Sequence, residues 1–453
     1  IGNIKDSDSI VKDAGNLIRN GEADLGKITK TVLVIDEAQD MDENEFQLIE
    51  ALLEKNETMR IIAVGDDDQN IYQFRGSDSK YLKSLITNYY AVQYSLIDNY
   101  RSCQNIIAFA NAFVKSISNR MKTENILPVS HQAGEVKLIK HTGMHIETAI
   151  VNDIMATNLV GTTCILTNTN RETLMILGLL KQKKISAKLI QSSDEFDMYH
   201  IIEIQYFLRV LKSDNNIAPV ISDEKWDYAI DKLKKIYSGS ECLPVILEAL
   251  TIFAITNEKK YFTDFMMFLQ ESKIEDFYKS EQDIITISTM HKSKGREFDN
   301  VFLMLDNINL ATDEQKRKLY VGITRAKSLL HIHYTGNLLD SLKNIACSYK
   351  TDLKSYQKPS ELIMQLSHKD VFLDFFKDKL RTILGLRSGM HLCVIANTLC
   401  LCSHGNKLPV LQFSSACYKK IKDIISAGYK LYDAKIRFIC TWKDSAIILP
   451  DIY

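Results

Sequence analysis

The sequence carries almost no net charge. Its 56 lysines and arginines are matched by 57 aspartates and glutamates, giving −1 with neutral histidines. A small nucleic-acid module is usually basic, so the total does not favour one, although a local basic track would suffice. No apolar run approaches the roughly 20 residues that span a bilayer, and no secretory leader pattern is seen. The nine cysteines show no paired CxxC spacing. Cys393, Cys400 and Cys402 lie near His404, but Cys400 and Cys402 alternate in an apolar run and read as core thiols on one face, not as zinc ligands. Cysteines used this way imply a reducing, cytoplasmic compartment. Internal repeats and low-complexity linkers are also lacking. The first residue is Ile1, not methionine, so the chain is expected to be a fragment or a processed piece.

What is present is a soluble α/β pattern. With 453 residues and 45% hydrophobic content, two to four domains are expected. The runs 31–36, 60–64 and 92–97 predict strands, with Phe46, Ile49, Leu52 and Leu53 at helical spacing between the first two. A second set of strands is predicted at 135–140, 162–167, 283–288, 300–305 and 329–334. Strands alternating with helices argue for a parallel sheet. Residues 193–281 read as mostly helical, with Trp226, Leu233, Leu247 and Phe265 on buried faces. From 345 a helical start is expected, then strands at 391–402, 408–413, 436–442 and 446–449.

Five segments carry chemistry-bearing residues near predicted strands. Asp36-Glu37-Ala38-Gln39-Asp40 follows the first strand, where α/β sheets bind nucleotides. An aspartate there can hold Mg²⁺, and a neighbouring glutamate can deprotonate a water. Such a pair can equally be a helix cap. The segment Gly65–Gly76 offers Gln69 as a γ-phosphate contact, Tyr72 and Phe74 as flat faces, and Arg75 as a cation. Aromatics in that position can also be core. Asn99–Ser102, Ser288–Phe298 and Leu319–Ala326 each place arginine or lysine near a strand end. Single arginines are usually surface charges, but five such segments in this order are not explained by five coincidences.

Together DEAQD, VGDDDQNIYQFRGSD, NYRS, MHKSKGREF and YVGITRA resemble motifs II, III, IV, V and VI of UvrD, Rep and PcrA, superfamily 1 DNA helicases, over residues 31–335. The resemblance implies an α/β fold with two RecA-like parallel-sheet motor domains. These would be a truncated first domain at 1–115 and a second built from 116–192 and 282–344. A helical insertion would fill 193–281, and a small C-terminal α+β accessory domain 345–453. It implies ATP and Mg²⁺ as cofactors, with Asp36 near the metal, Glu37 as catalytic base and Gln69 as γ-phosphate sensor. Arg101 and Arg325 would reach the phosphate from opposite sides. Tyr100 would stack on adenine, with Gly295 and Glu297 at the nucleotide and Glu297 on its ribose. Tyr72, Phe74, Arg75, His291 and Lys292 would meet single-stranded DNA, and Thr167 and Asn168 would lie in a further motif. The implied function is an ATP-dependent 3′→5′ helicase acting on single strands and duplex junctions, with no membrane partner. A non-hydrolysing DNA-binding or scaffold subunit on the same fold is the alternative.

Three departures stand out. Phe74 replaces the family's usual tryptophan, the helical insertion looks short, and the glycine-rich loop of motif I is missing upstream of Asp36. The stretch Gly21–Ile28 fits GxxxxGK by spacing only. It has Ile28 where Mg²⁺ needs Ser or Thr, and it follows a helical stretch. Residues 1–453 alone are therefore expected to hydrolyse ATP negligibly. The wording of the first two motifs is also similar to UvrD-like halves carried by some RecQ-like helicases, which would make this the C-terminal part of a larger protein.

Overall fold

The computed structural model describes residues 7–190, 196–212, 219–272, 274–277, 284–403, 406–443 and 445–453. The chain divides into two units. One comprises Ile1–Ile146, Thr157–Asn168 and Ser288–Tyr356, the other Glu147–Ala156, Thr169–Ile287 and Gln357–Tyr453.

The first unit opens with helix α1 (Ser7–Arg19), strand β1 (Val32–Ile35), helix α2 (Glu43–Lys55) and strand β2 (Arg60–Ala63). Helix α2 begins at Asp42, whose carboxylate accepts from the Glu45 N–H while the Glu45 side chain accepts from the Asp42 N–H. That reciprocal box satisfies two donors a helix start leaves open. Phe46 and Ile49 then face Ala38, Met41, Tyr81 and Leu85 in a small core. Strands β1 and β2 pair in parallel, Val32 opposite Arg60 and Ile35 opposite Ala63. One face of this pair is open, with Val34 and Ile62 more than half exposed.

Helices α3 (Lys80–Tyr89) and α4 (Gln104–Val114) follow. Residues 92–97 were expected to be a strand and lie outside any ladder. Val92, Tyr94 and Leu96 are 73–83% exposed. Alternating apolar residues favour a strand, but a strand forms only against a neighbour. The run meets one only at its end, where Ile97 O accepts the Leu127 N–H at 2.8 Å and a two-residue ladder of Asp98–Asn99 with Leu127–Pro128 follows.

The main sheet of this unit contains β3 (Glu135–His141), β4 (Thr163–Thr167), β5 (Phe298–Leu305), β6 (Ala326–Thr335) and β7 (Ser348–Asp352). The order is β7-β3-β6-β5-β4, and every pair is parallel. All five residues of β4 are buried, as are Val301–Leu305 of β5, which is why these strands read as continuous apolar runs. Helix α5 (Asp313–Ile323), capped by Thr312 and Gln315, links β5 to β6. The helical start expected at 345 is instead the strand β7. It is held by register with β3, Ser348 opposite Lys137.

In the second unit, helices Ile202–Leu211, Asp223–Ile236, Leu243–Thr256 and Phe262–Glu271 close on an aromatic core. Trp226 lies 5.7 Å from Phe253 and 5.0 Å from both Phe207 and Phe265. A six-stranded antiparallel sheet from the last hundred residues shares one continuous apolar core with these helices. Trp442 packs there, 5.5 Å from Phe196 and stacked 5.7 Å from His368.

The reading of Cys400 and Cys402 as two core thiols holds for Cys400 only, which is 2% exposed. After a bulge at Leu399/Cys400 the register is continuous, Cys400 opposite Pro409 and Cys402 opposite Lys407, so the two cysteines share a face as expected. Cys402 is nevertheless exposed, and it is bonded to Cys393. His404 lies outside the described residues. No described helix is long and apolar enough to cross a membrane.

Candidate nucleotide and DNA site

All five chemistry-bearing segments fall in the first unit. Asp36 and Glu37 leave the C-terminal end of β1, and both are exposed. Asp36 accepts the Glu37 N–H at 2.9 Å and makes no ion pair among the described residues. An exposed, uncompensated carboxylate at a parallel strand end fits a hydrated divalent cation. Glu37 has φ 50° and ψ 38°, a left-handed conformation rare for a side chain of its size. Its carboxylate is held by Gln39 Nε2 at 2.5 Å.

Gln39 is fully buried and ties this segment to the next. Its Oε1 accepts from the Asp66 N–H at 2.9 Å, and its carbonyl accepts from Asn70 Nδ2 at 2.6 Å. Gly65 permits this contact: a Cβ there would lie 2.5 Å from Gln39 Oε1. The turn after β2 presents Gln69. Its Nε2 donates to Asp66 Oδ2 at 2.9 Å, and its Oε1 accepts from Arg325 Nη2 at 2.8 Å.

Arg325 is 2% exposed. Its remaining donors reach Val321 O at 3.1 Å, Arg296 O at 3.0 Å and Thr324 Oγ1 at 3.3 Å. Burial, and then the charge of Arg101, pulls its pKa down to about 10, so it remains charged at neutral pH. Arg101 pairs with Glu297 at 2.5 Å, and Lys327 holds the other Glu297 oxygen at 2.7 Å. These partners, Lys327 first, keep the Glu297 carboxyl below its ordinary range. Tyr100 stands 78% exposed beside them.

Lys294 is a residue the sequence reading did not single out. Its side chain is only 8% exposed. It donates to Asp40 and to Gln69 O, the latter at 3.0 Å, and lies 3.7 Å from Glu37 Oε2. One ammonium thus touches both the first carboxylate segment and the glutamine turn. The signal was its place in HKSKG, one residue before Gly295. That glycine has φ 79°, a conformation an L side chain resists.

The aromatic residues form a second patch. Phe74 is 66% exposed, so it is not a core plug. It meets Tyr72 at 6.2 Å and His291 at 5.9 Å, both edge-on. The Arg75 guanidinium lies 5.6 Å from the Tyr72 ring and 5.7 Å from the Phe74 ring. Lys292 is half-buried in the turn after His291. In the basic run 316–318, Lys316 donates to Ser116 O at 2.6 Å and Lys318 to Asn168 Oδ1 at 2.5 Å, so both are engaged within the protein.

Burial, and secondly the charge of Lys318, lowers the His291 pKa from 6.5 to about 4. The ring is therefore neutral at pH 7. Its contribution to stability is whole above about 6.5 and is lost as pH falls from there toward 4, because the unfolded chain binds the proton first. In an NMR titration His291 is expected to show a midpoint near 4. A midpoint near 6.5 would mean that the ring is solvated.

The site thus joins an acid pair at a strand end, a glutamine touching a buried arginine, and an aromatic patch on the same turn. Comparison with known proteins supplies the family. Residues 94–242 and 246–337, more than half of the chain, match the UvrD-like helicase C-terminal domain. Residues 3–90 match the UvrD/REP helicase N-terminal domain. The chain belongs to the UvrD-like helicase family. It is 22% identical over 459 residues to the ATP-dependent DNA helicase Rep of Buchnera aphidicola, covering 75% of this chain and 69% of that one. It is 22% identical to the ATP-dependent DNA helicase PcrA of Bacillus subtilis, covering 66% and 54%. With the Gabija protein GajB of Bacillus cereus it shares 23%, covering 66% and 62%.

Proposed function

We propose that this chain supplies most of an ATP-driven motor that moves 3′→5′ along single-stranded DNA and opens duplexes at junctions. The observation that carries it is the direct contact between Gln69 and Arg325, on segments 256 residues apart, with Lys294 touching the same glutamine turn. A scaffold subunit has no physical need for a glutamine amide held between a carboxylate and a buried guanidinium. The direction of travel follows from the family resemblance.

In this reading Asp36 holds Mg²⁺, Glu37 takes a proton from the attacking water, and Gln69 and Arg325 stabilise charge at the γ-phosphate. ATP supplies the bond that is broken, and Mg²⁺ offsets the charge of its phosphates. Arg101 reaches the same phosphate by exchanging Glu297 for it, Gly295 leaves room for the nucleotide, and Glu297 turns to the ribose. Tyr100 offers its open face to adenine. The residues present fit the γ-phosphate end and the base. No glycine-rich loop for the β-phosphate is seen among residues 1–453, and the tests below use the protein in its natural full length.

Tyr72, Phe74, Arg75, His291 and Lys292 form the DNA contact. Phe74 lies five residues from Gln69, so a change at the glutamine reaches an exposed ring through one short turn. Stacking of a base on an aromatic ring is worth about 1–3 kcal/mol, firm enough to hold and weak enough to release in each cycle. Full-length protein should therefore show DNA-stimulated ATP hydrolysis and unwinding. Phe74→Ala should keep basal hydrolysis and melting temperature near the unmodified values while single-strand affinity and unwinding drop about tenfold or more. Normal unwinding by Phe74→Ala would refute the stacking role. Nucleotide and DNA binding without any turnover would favour the scaffold alternative.

A further inference from the structure

The turn that carries Gln69 contains three consecutive aspartates, and three consecutive residues elsewhere in the first unit meet them one for one. Arg120 grips Asp68 with Nε at 2.8 and 3.0 Å and Nη2 at 2.7 Å. The Met121 N–H donates to Asp67 Oδ2 at 2.7 Å. Lys122 Nζ lies 3.2 Å from Asp66 Oδ1. Asp68 is fully buried and Asp67 is 3% exposed. Without these partners, three carboxylates on adjacent residues would repel one another in a region of weak solvation. Burial already pushes the Asp68 carboxyl upward, and the Arg120 hydrogen bond opposes that rise.

The geometry continues past the aspartates. Lys122 holds one oxygen of Asp66, the other Asp66 oxygen accepts from Gln69 Nε2, and Gln69 Oε1 accepts from Arg325. An amide side chain has two distinguishable ends, and here each has a charged partner that fixes which way it faces. Residues 120–122 also follow helix α4, which begins just after Tyr100 and Arg101. The strand of chain that bears those residues therefore returns, within one helix, to brace the glutamine turn.

We propose that Arg120 and Lys122 are positioning residues for ATP turnover: residues 120–122 clasp the Asp66–Asp68 turn and thereby set the Gln69 amide against Arg325. The proposal rests on Gln69 acting at the γ-phosphate. The clasp makes two kinds of contribution. Arg120 neutralises a buried carboxylate through a two-pronged contact and is chiefly a brace. Lys122 acts on Asp66, whose side chain is 22% exposed and touches Gln69 directly, so it bears on orientation as well as on folding.

Lys122→Met in the full-length protein keeps most of the apolar stem and removes the charge. DNA-stimulated kcat is expected to fall about tenfold, with KM for ATP within about twofold, because orientation at the γ-phosphate matters most in the transition state. Both side chains of the pair are mostly buried, so some loss of melting temperature is expected and turnover is compared per folded molecule. Lys122→Arg should recover most of the rate. Amides 66–70 should exchange hydrogen about tenfold faster as the turn loosens. In a Gln69→Ala background, Lys122→Met should cost nothing further, because both substitutions remove the same interaction. Arg120→Lys, which keeps the charge and loses the fork, should move kcat and exchange in the same direction. Unchanged exchange at 66–70, or a full additional loss of kcat in the Gln69→Ala background, would overturn the proposal. Should Gln69→Ala alone turn over normally, the sensor reading falls instead. In that case the clasp's effect on turnover falls with it, and only the bracing of the turn, read by exchange at 66–70, remains.

Discussion

Glu37→Gln in the full-length protein is expected to bind nucleotide nearly normally and to turn it over about 10²–10⁴ times more slowly, the cost of losing a positioned general base. The substitution is nearly isosteric, so Gln39 Nε2 retains an oxygen to donate to and the exposed side chain loses little packing. The left-handed backbone of Glu37 is unaffected, since both residues strain it equally. What disappears is the capacity to take a proton. One contact does change: Lys294, 3.7 Å from Glu37, loses a nearby negative charge but keeps Asp40 and Gln69 O. Binding and stability should therefore hold while kcat collapses, and a binding isotherm beside single-turnover kinetics checks this. A rate within about threefold of the unmodified protein would remove Glu37 from the base role.

The motif segments could be read from the sequence because each packs its chemistry into a few residues at a strand end, and a strand end is visible as an apolar run that stops. Asp36 and Glu37 directly after β1 are the plainest case. Helix α2 was legible for a similar reason, since its apolar spacing lies in a single short window. Features that depend on what lies opposite were not legible. The run 92–97 has the alternation of a strand, yet alternation says nothing about whether a neighbour exists to pair with. Cys400 and Cys402 share a face, yet one is buried and the other exposed and bonded to Cys393, because how far the core extends along a strand is not written in its alternation. Lys294 was visible only as one lysine in a basic run, whereas the fold buries its stem and aims it at Asp40, 254 residues away.

The clasp at 120–122 shows the same limit from the other side. Nothing in the sequence links Asp66-Asp67-Asp68 to Arg120 and Lys122, more than fifty residues on. Their matching depends on the path of the chain through α4, which spacing does not encode. The basic runs illustrate how charge counting misleads. Lys316 and Lys318 look like a phosphate track but spend their donors on Ser116 O and Asn168, while the cations over the Tyr72 ring are Lys294 and the isolated Arg75.

Arg325→Ala is expected to have the largest effect of all, a loss of about 10³–10⁵ in kcat, the range associated with an arginine that offsets charge on a transferring phosphoryl group. Its side chain is buried and fully committed, so Ala also leaves Arg296 O and Gln69 Oε1 without this donor, while Val321 O keeps the Thr324 hydroxyl. Each unsatisfied buried acceptor costs about 1–3 kcal/mol, so some loss of stability accompanies the loss of rate. Arg325→Lys separates the two effects. It keeps a positive charge near Gln69 but cannot reach Gln69 Oε1, Arg296 O and Val321 O at once, because its three donors sit on one nitrogen. If Arg325 acts through its fork, Lys should fold better than Ala and yet recover little of the rate. If it acts only as a buried strut, rate should follow the folded fraction in both variants. Turnover per folded molecule, measured beside thermal melts of the two proteins, decides between them. Unmodified turnover per folded Arg325→Ala molecule would leave the arginine with a purely structural role.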